Sequence, residues 1–531
     1  RVNATGDWAD DPGAPTTETV PTPTPTGPNS VDLFTDKTEN VNAVGTYLST
    51  IASNDKNVIP PAFTRARGAS QETGIYWAQY TEAGVALRLD NLGGVTKGGT
   101  LTVAHAASHL DGSFTVVGTI LGTGLFGLNG KVVTFDASKG PYVYVAHYLD
   151  TGELAWLSHF EPQNGLAFTV DSVASFDDGS LIVIGANAGT VRFFGKGGNA
   201  GAEFGPGALK PGVWAARLDP NGNGQWGMTV VVRGATAAAH AVTAHEDGGA
   251  SLTGGFTGTA NLGPGGEIPV SVGVGEKGRD VWYEKLDKEG KILWGGRVGA
   301  AGADVPGDIA PIEGGGALLL VNTAGGTPNA SDSVNTQQLM HATAAGLQAH
   351  VLSIDESGVI YSDGLIANPE TGVTHGWQLK RDWGGFYAVG GTFATGTSFW
   401  SKVGFGSGAP KGAADFSIAS LQRQPGPATL FLARVNQDAV FDWAVQAGGD
   451  ASGMTSPPVI DGQTTPTWDV VLAAHPSHSA TLAGVFNQGS TFGDQDTEAL
   501  QSWLDANGSL SNIGNPFIVH LNSQAQYDYC P

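Results

Sequence analysis

Cysteine is all but missing from this chain. One thiol, Cys530, rules out an intramolecular disulfide, a Cys-based zinc centre and a haem-attachment motif. Positive charge is scarce as well: 26 Lys and Arg face 49 Asp and Glu, a formal net charge of −23. Without clustered Lys and Arg there is no electrostatic grip on nucleic acid or anionic lipid, so neither is an expected partner. No run of 18 apolar residues occurs, which argues against membrane insertion through a helix. The chain opens at Arg1 and not at Met, so it is expected to be processed or trimmed, and the lack of a secretory signal excludes nothing. G-x-S-x-G, H-E-x-x-H, a P-loop and C-x-x-C are all absent, and the G-x-G-x-x-G at Gly273, Gly275 and Gly278 has no strand-to-helix context. No catalytic residue is expected, and the chain reads as non-enzymatic.

Glycine is abundant instead, at 80 residues, without a Gly-X-Y register; that excludes collagen and favours turn-dense β structure. A phrase of 13 residues recurs: WAARLDPNGNGQW from Trp214, echoed from Tyr144, Trp282, Ala349, Phe431 and Phe517. The acid or amide opening each turn falls at Asp150, Asp219, Asp287, Asp355, Asn436 and Asn522, spaced 69, 68, 68, 81 and 86 residues apart. A fainter copy from Trp77 puts Glu82 a further 68 residues upstream. A fixed period signals a repeat architecture. Each unit runs from an apolar stretch with an Asp-Gly or Gly-Gly turn, through a glycine-marked strand, to the phrase itself, and four strands in about 68 residues is the arithmetic of a propeller blade.

The expected fold is therefore all-β: a single propeller of four-stranded blades, with seven blades favoured and six the fallback, preceded by an extended arm. Units are placed at about 31–91, 103–160, 168–230, 237–298, 303–365, 373–446 and 466–531. The arm, residues 1–30, is rich in Pro and Thr (TTETVPTPTPTGPNS) and resembles the stalks of surface proteins. Insertions lie at 404–428 and 494–513; in the second, Ala499, Leu500, Trp503 and Leu504 have helical spacing. The aromatics that close the phrase (Trp156, Trp226, Trp294, Tyr361, Trp443, Tyr529) are read as wedges between blades, because a filler must recur in every unit.

Few residues suggest a site. Asp171, Asp308 and Asp469 begin inner strands and are candidates for ligand binding in a central channel. Asp219, Asn221 and Asn223 fit the first half of a calcium loop, but the twelfth position is Val230, so a turn is favoured over a metal site; otherwise no cofactor is implied. His475 and His478 sit in a turn and make a thin case for metal. Sequons at Asn3, Asn329 and Asn507 are glycosylation candidates, and Cys530 is a candidate for an intermolecular disulfide.

The succession of Asp-Gly turn, G-x-F-x-G-T-x-x-F-G strand and L-D-x-x-G-x-x-x-W phrase resembles the bacterial SBBP-type β-propeller repeats of secreted and surface proteins, over roughly residues 100–530. Val321 and Asn322 depart from it, standing where the unit at 303–365 would show glycine. The resemblance implies a propeller, export and a part in surface architecture, and no catalytic set. The expected role is an extracellular structural or adhesive protein, a filament or layer subunit assembling through its arm with itself or another surface protein. The alternative is a glycan-binding or carbohydrate-active propeller using the channel mouth.

Overall fold

The structure is a computed structural model that describes residues 31–521 apart from connecting segments, the longest being 54–62, 196–211, 404–415, 450–470 and 501–514. Residues 1–30 and 522–531, and with them Asn3, Tyr529 and Cys530, lie outside the described residues, as do Asp469, His478 and Asn507. The fold is all-β, with no α-helix among the described residues. Ala499–Leu500, expected in a helix, pairs as a strand with Ser490–Thr491, so main-chain pairing overrides the helical spacing there.

Six units each supply four strands in an antiparallel meander, and the seventh shows three among the described residues. The unit at 168–230 is representative: Ser172–Ser175, Leu181–Asn187, Gly212–Leu218 and Gly224–Val230. Its second strand explains how the sequence builds the core. Leu181 and Val183 pack towards the preceding unit, among Val117, Val143 and Val145, whereas Ile182 and Ile184 pack towards the following one, among Leu252 and Trp282. Alternation puts successive side chains on opposite faces, and both faces are covered, so the strand is a continuous apolar run. The core is thus a set of layers between neighbouring sheets. The layer joining Leu33, Val41 and Ala43 to Val471 and Ala473 links the first unit to the last.

The first strands of the units, Val31–Thr35, His105–Ser108, Ser172–Ser175, Ala237–Ala244, Val305–Pro311, Thr374–Arg381 and Val471–Ala474, each contact the next, and the seventh returns to the first. Thr35 donates its hydroxyl to the Ala474 carbonyl at 3.1 Å across that closure.

Two devices join the units. In the first, the phrase of one unit grips the turn of the next. Trp156 donates its indole N–H to Pro220 O (3.0 Å), Trp226 to Lys288 O (2.8 Å) and Trp294 to Glu356 O (3.0 Å), while the Tyr361 hydroxyl donates to Gln437 O (3.3 Å). Gly222, at φ 79°, leaves the Trp156 ring lying where a Cβ would be. In the first unit Arg88 takes the aromatic's place and donates to Asp150 O at 3.0 Å. The strand register puts Leu149, not Asp150, at the turn-opening position, one residue before the sequence mark.

In the second device, a strand of one unit extends the sheet of the unit before it. Val191–Phe194 pairs with Leu154–Pro162, Asn329–Asp332 with Ile292–Gly299, and Thr397–Val403 with Ile360–Ala367. The far end of Phe114–Phe126 likewise pairs with Ala86–Thr96. Open strand edges invite aggregation, and here the chain covers them itself. The sequon at Asn329 falls in one of these strands, half-buried.

Candidate functional site

The ring of first strands encloses a cavity of about 280 Å³, to which all seven contribute lining residues. Its walls are mostly small: Ala106, Ala107, Ser172, Ala174, Thr243 and Ala473 are among them. Asp308 lies in this lining, as expected from the sequence, together with His105, Lys380 and Arg381.

The acids of the ring are engaged by main chain. Asp308 accepts the amide of Ile309 at 2.8 Å and, across the unit boundary, that of Leu379 at 3.0 Å. Asp32, at the equivalent place in the first unit, accepts Leu33 N at 3.0 Å and Ala106 N at 2.6 Å. Ser172 accepts Val242 N at 3.4 Å, and Gln378 accepts Leu472 N at 2.6 Å. One position of the first strand thus clasps the next strand in four units, through Asp32, Ser172, Asp308 and Gln378. Carboxylates whose oxygens already hold buried N–H groups would leave those donors unsatisfied if diverted to chemistry.

Lys380 reaches up the cavity to Asp308, with Nζ 3.1 Å from Oδ2. Burial works against its charge, but Asp308 and Asp32 outweigh that and hold the ammonium above its ordinary pKa. His105 Nδ1 stands 3.3 Å from Asp32 Oδ2. Where the first strands begin, His240 bonds Gly307 O through Nε2 at 2.9 Å, which makes Nε2 the protonated nitrogen. Its ring is exposed to solvent yet hemmed in by protein, and burial lowers its pKa. His375 lies against Trp377, with ring centroids 3.9 Å apart and the planes tilted by 38°, and is pushed down to about 3 by burial and by His240.

Asp171 stands one residue before the strand Ser172–Ser175 and is outside the cavity lining. Burial raises its carboxyl to about 7, against the opposing hydrogen bond from the Thr169 hydroxyl at 3.2 Å. The structure therefore separates Asp171, which titrates near neutrality, from Asp308, which clasps two strands.

Asp219 engages its own turn with both carboxylate oxygens. Its Oδ1 accepts the amides of Asn221 (2.9 Å) and Asn223 (2.8 Å), and the Asn223 side-chain amide donates to Oδ2 at 3.1 Å. Asp287, Asp355 and Asn436 make the same paired acceptance in their own turns. His475 shares a hydrogen bond with Thr481 (2.8 Å), as His109 does with Thr115 (3.0 Å) and His245 with Ser251 (2.7 Å). No group of three metal-competent side chains occurs among the described residues.

Sequence reasoning missed Asp32, His105, His240 and Lys380. The available signal was position: each lies in the apolar stretch that opens its unit, where a polar residue needs a partner.

No protein-family model matches the chain, and no curated protein matches it. Among solved structures the chain is similar to the rhamnogalacturonan lyase YesW, at 11% identity over 77% of this chain and 88% of that one, with a TM-score of 0.22. It is also similar to TcdA4 of Morganella morganii, at 10% identity over 79% of this chain and 22% of that one, with a TM-score of 0.19. Likeness at that level carries no argument about function.

Proposed function

We propose that this protein is a seven-bladed β-propeller that serves as a non-enzymatic structural or adhesive subunit outside the cell, assembling into a filament or layer through its N-terminal arm with copies of itself or another surface protein. The ring of seven first strands and its closure between the first and last units support the seven-bladed reading. The observation that carries the role is the commitment of Asp32 and Asp308 to clasping adjacent strands, which makes the cavity's acids part of the ring's construction. The likeness of the units to SBBP-type repeats points the same way. Deleting residues 1–30 is expected to abolish assembly, seen by negative-stain microscopy, while the circular dichroism and melting temperature of the ring stay unchanged. Normal assembly of the truncated protein would overturn the role.

A second reading, glycan binding or carbohydrate chemistry at the mouth, draws on Asp171, a carboxyl that titrates near neutrality as a general acid would need. A glycan array and a hydrolase screen, with Asp171→Asn beside the unaltered protein, test it. A signal lost on substitution supports it, and silence in both removes it.

A further inference from the structure

The units are internal controls for one another: a residue that breaks the pattern without serving the ring points to something particular to its unit. At the end of the molecule formed by the tight turns, the second position of the first turn is Asp177, Glu246 and Glu313 in the units at 168–230, 237–298 and 303–365. In the unit at 103–160 it is Leu110, which is 54% exposed. The turn-opening position of the second turn is Asp219, Asp287, Asp355 or Asn436 in the units at 168–230, 237–298, 303–365 and 373–446, where the side chain clamps two amides. Here it is Leu149, 40% exposed, and the clamp is forgone. Both leucines belong to one unit, and their turns sit two strand spacings apart, roughly 10 Å. The neighbouring unit adds Leu87, 43% exposed, next to Arg88, whose guanidinium reaches Asp150 O at 3.0 Å.

A lone exposed leucine needs no explanation, but two on the turns of one unit, both replacing polar groups that other units use, with Leu87 at the start of a strand of the neighbouring unit, form a patch. The surroundings say what would cover it. Asp111, Asp150, Glu153, Asp177 and Asp178 are exposed on the same turns and on the next unit's first turn. Among the described neighbours Arg88 is paired to Asp90 at 3.3 Å and the buried Arg217 to Asp178 at 3.6 Å, so acids outnumber bases on this face. A second copy would bring a like-charged rim against this one, which is unfavourable.

We infer that the turn face of the units at 31–91 and 103–160 is a docking surface for a basic, amphipathic segment of a partner protein, whose apolar side chains seat on Leu87, Leu110 and Leu149 while its Lys or Arg meet the acidic rim. This surface is at the end opposite the start of the first strands, and it stands whether or not the arm drives assembly.

The test uses the full chain and two short fluorescent peptides, one alternating Leu and Lys and the other with Ser in place of Leu, measured by polarisation. The unaltered protein is expected to bind the Leu–Lys peptide about tenfold or more tightly than the Ser–Lys peptide. The variant L110E/L149D takes residues that other units carry, so it is expected to fold, with a melting temperature equal to or above that of the unaltered protein. It also adds two negative charges. Docking on the leucines predicts that it binds the Leu–Lys peptide about tenfold more weakly despite those charges. Equal or tighter binding by the variant would mean general attraction of opposite charges and would overturn the inference, as would equal binding of the two peptides by the unaltered protein. Dimerisation of the unaltered protein, lost in the variant by sedimentation, would assign the patch to a second copy and overturn the proposed partner.

Discussion

Where the first and third strands of each unit finish, the units resemble one another: the turn recurs, four units clamp two amides with an acid or amide, and four reach the next turn with an aromatic, Leu149 and Arg88 being exceptions. Where those strands begin, the units differ, with Val191–Phe194, Thr259–Leu262 with Ile268–Ser271, and Asn329–Asp332 with Thr336–Gln338 standing in corresponding connections. The contrast follows from contact. At the turn end each unit touches its neighbour through a few fixed groups, including Arg217 on Gly248 O at 2.6 Å and Lys285 on Gly315 O at 2.6 Å, so a change in one unit must be answered in the next. At the other end the connection has only to cover an open edge, and strands of many lengths can do so. Repetition marks where units bind each other, and variety marks where the chain is free to differ.

The largest test of that contrast is Trp156→Ala. It empties a nearly fully buried site against Gly222 and orphans Pro220 O, and should cost about 3–5 kcal/mol in chemical denaturation. A loss under about 1 kcal/mol would mean that the turn end is not where the units are held. Next is Asp308→Ala, which frees two buried amides and is expected to cost about 2–4 kcal/mol, with Asp308→Asn, which keeps one acceptor, losing about half as much.

Acid should weaken the turn end through its histidines. His245 is pushed down to about 4 by burial and the nearby Lys285, and His147 to about 4 by burial and His109. Both lie below the unfolded value of about 6.5, so the unfolded chain takes up protons first as pH falls. Their contribution is whole above about pH 6.5 and declines towards pH 4, with a limiting slope of about 1.4 kcal/mol per pH unit for each histidine. His245→Phe, the residue type the unit at 168–230 carries as Phe176, should flatten that slope. An unchanged slope would place the acid sensitivity elsewhere. The smallest effect belongs to the variable end: Thr102→Ala loses an exposed hydroxyl contact to Thr119 (2.7 Å) and should change stability by less than about 0.5 kcal/mol.

The strands and turns of the phrase were legible because each position answers to a neighbour that recurs. The wedge reading of Trp156 and Trp294 followed from recurrence and matches their burial between units. The mark at Asp150 was one residue out because Leu149 holds the position and an acid happens to follow. Val321, in the glycine's place, faces His350 and not the aromatic found opposite Gly185 or Gly254, so the two exceptions make room for each other. That exchange is invisible without register. The break between the glycine-marked strand and the strand that covers the neighbouring edge, as between Leu181–Asn187 and Val191–Phe194, was not legible, because main-chain pairing imposes no residue pattern on an exposed edge. Of the site, Asp308 was legible as a polar residue at a strand start. Its clasp on Leu379 was not, since it joins residues 71 apart.

Among the described residues, the strand that finishes the sheet in four of the units comes from the unit made after it, which gives the chain a direction in time. At a synthesis rate of ~5–20 residues per second, a 68-residue unit emerges from the ribosome roughly 3–14 s before its successor is complete. During that interval its last strand is an unfinished edge, open to whatever strand arrives first. Loss of a later unit would therefore strand the one before it, and a stalled ribosome would hold out a sticky edge and not a finished sheet.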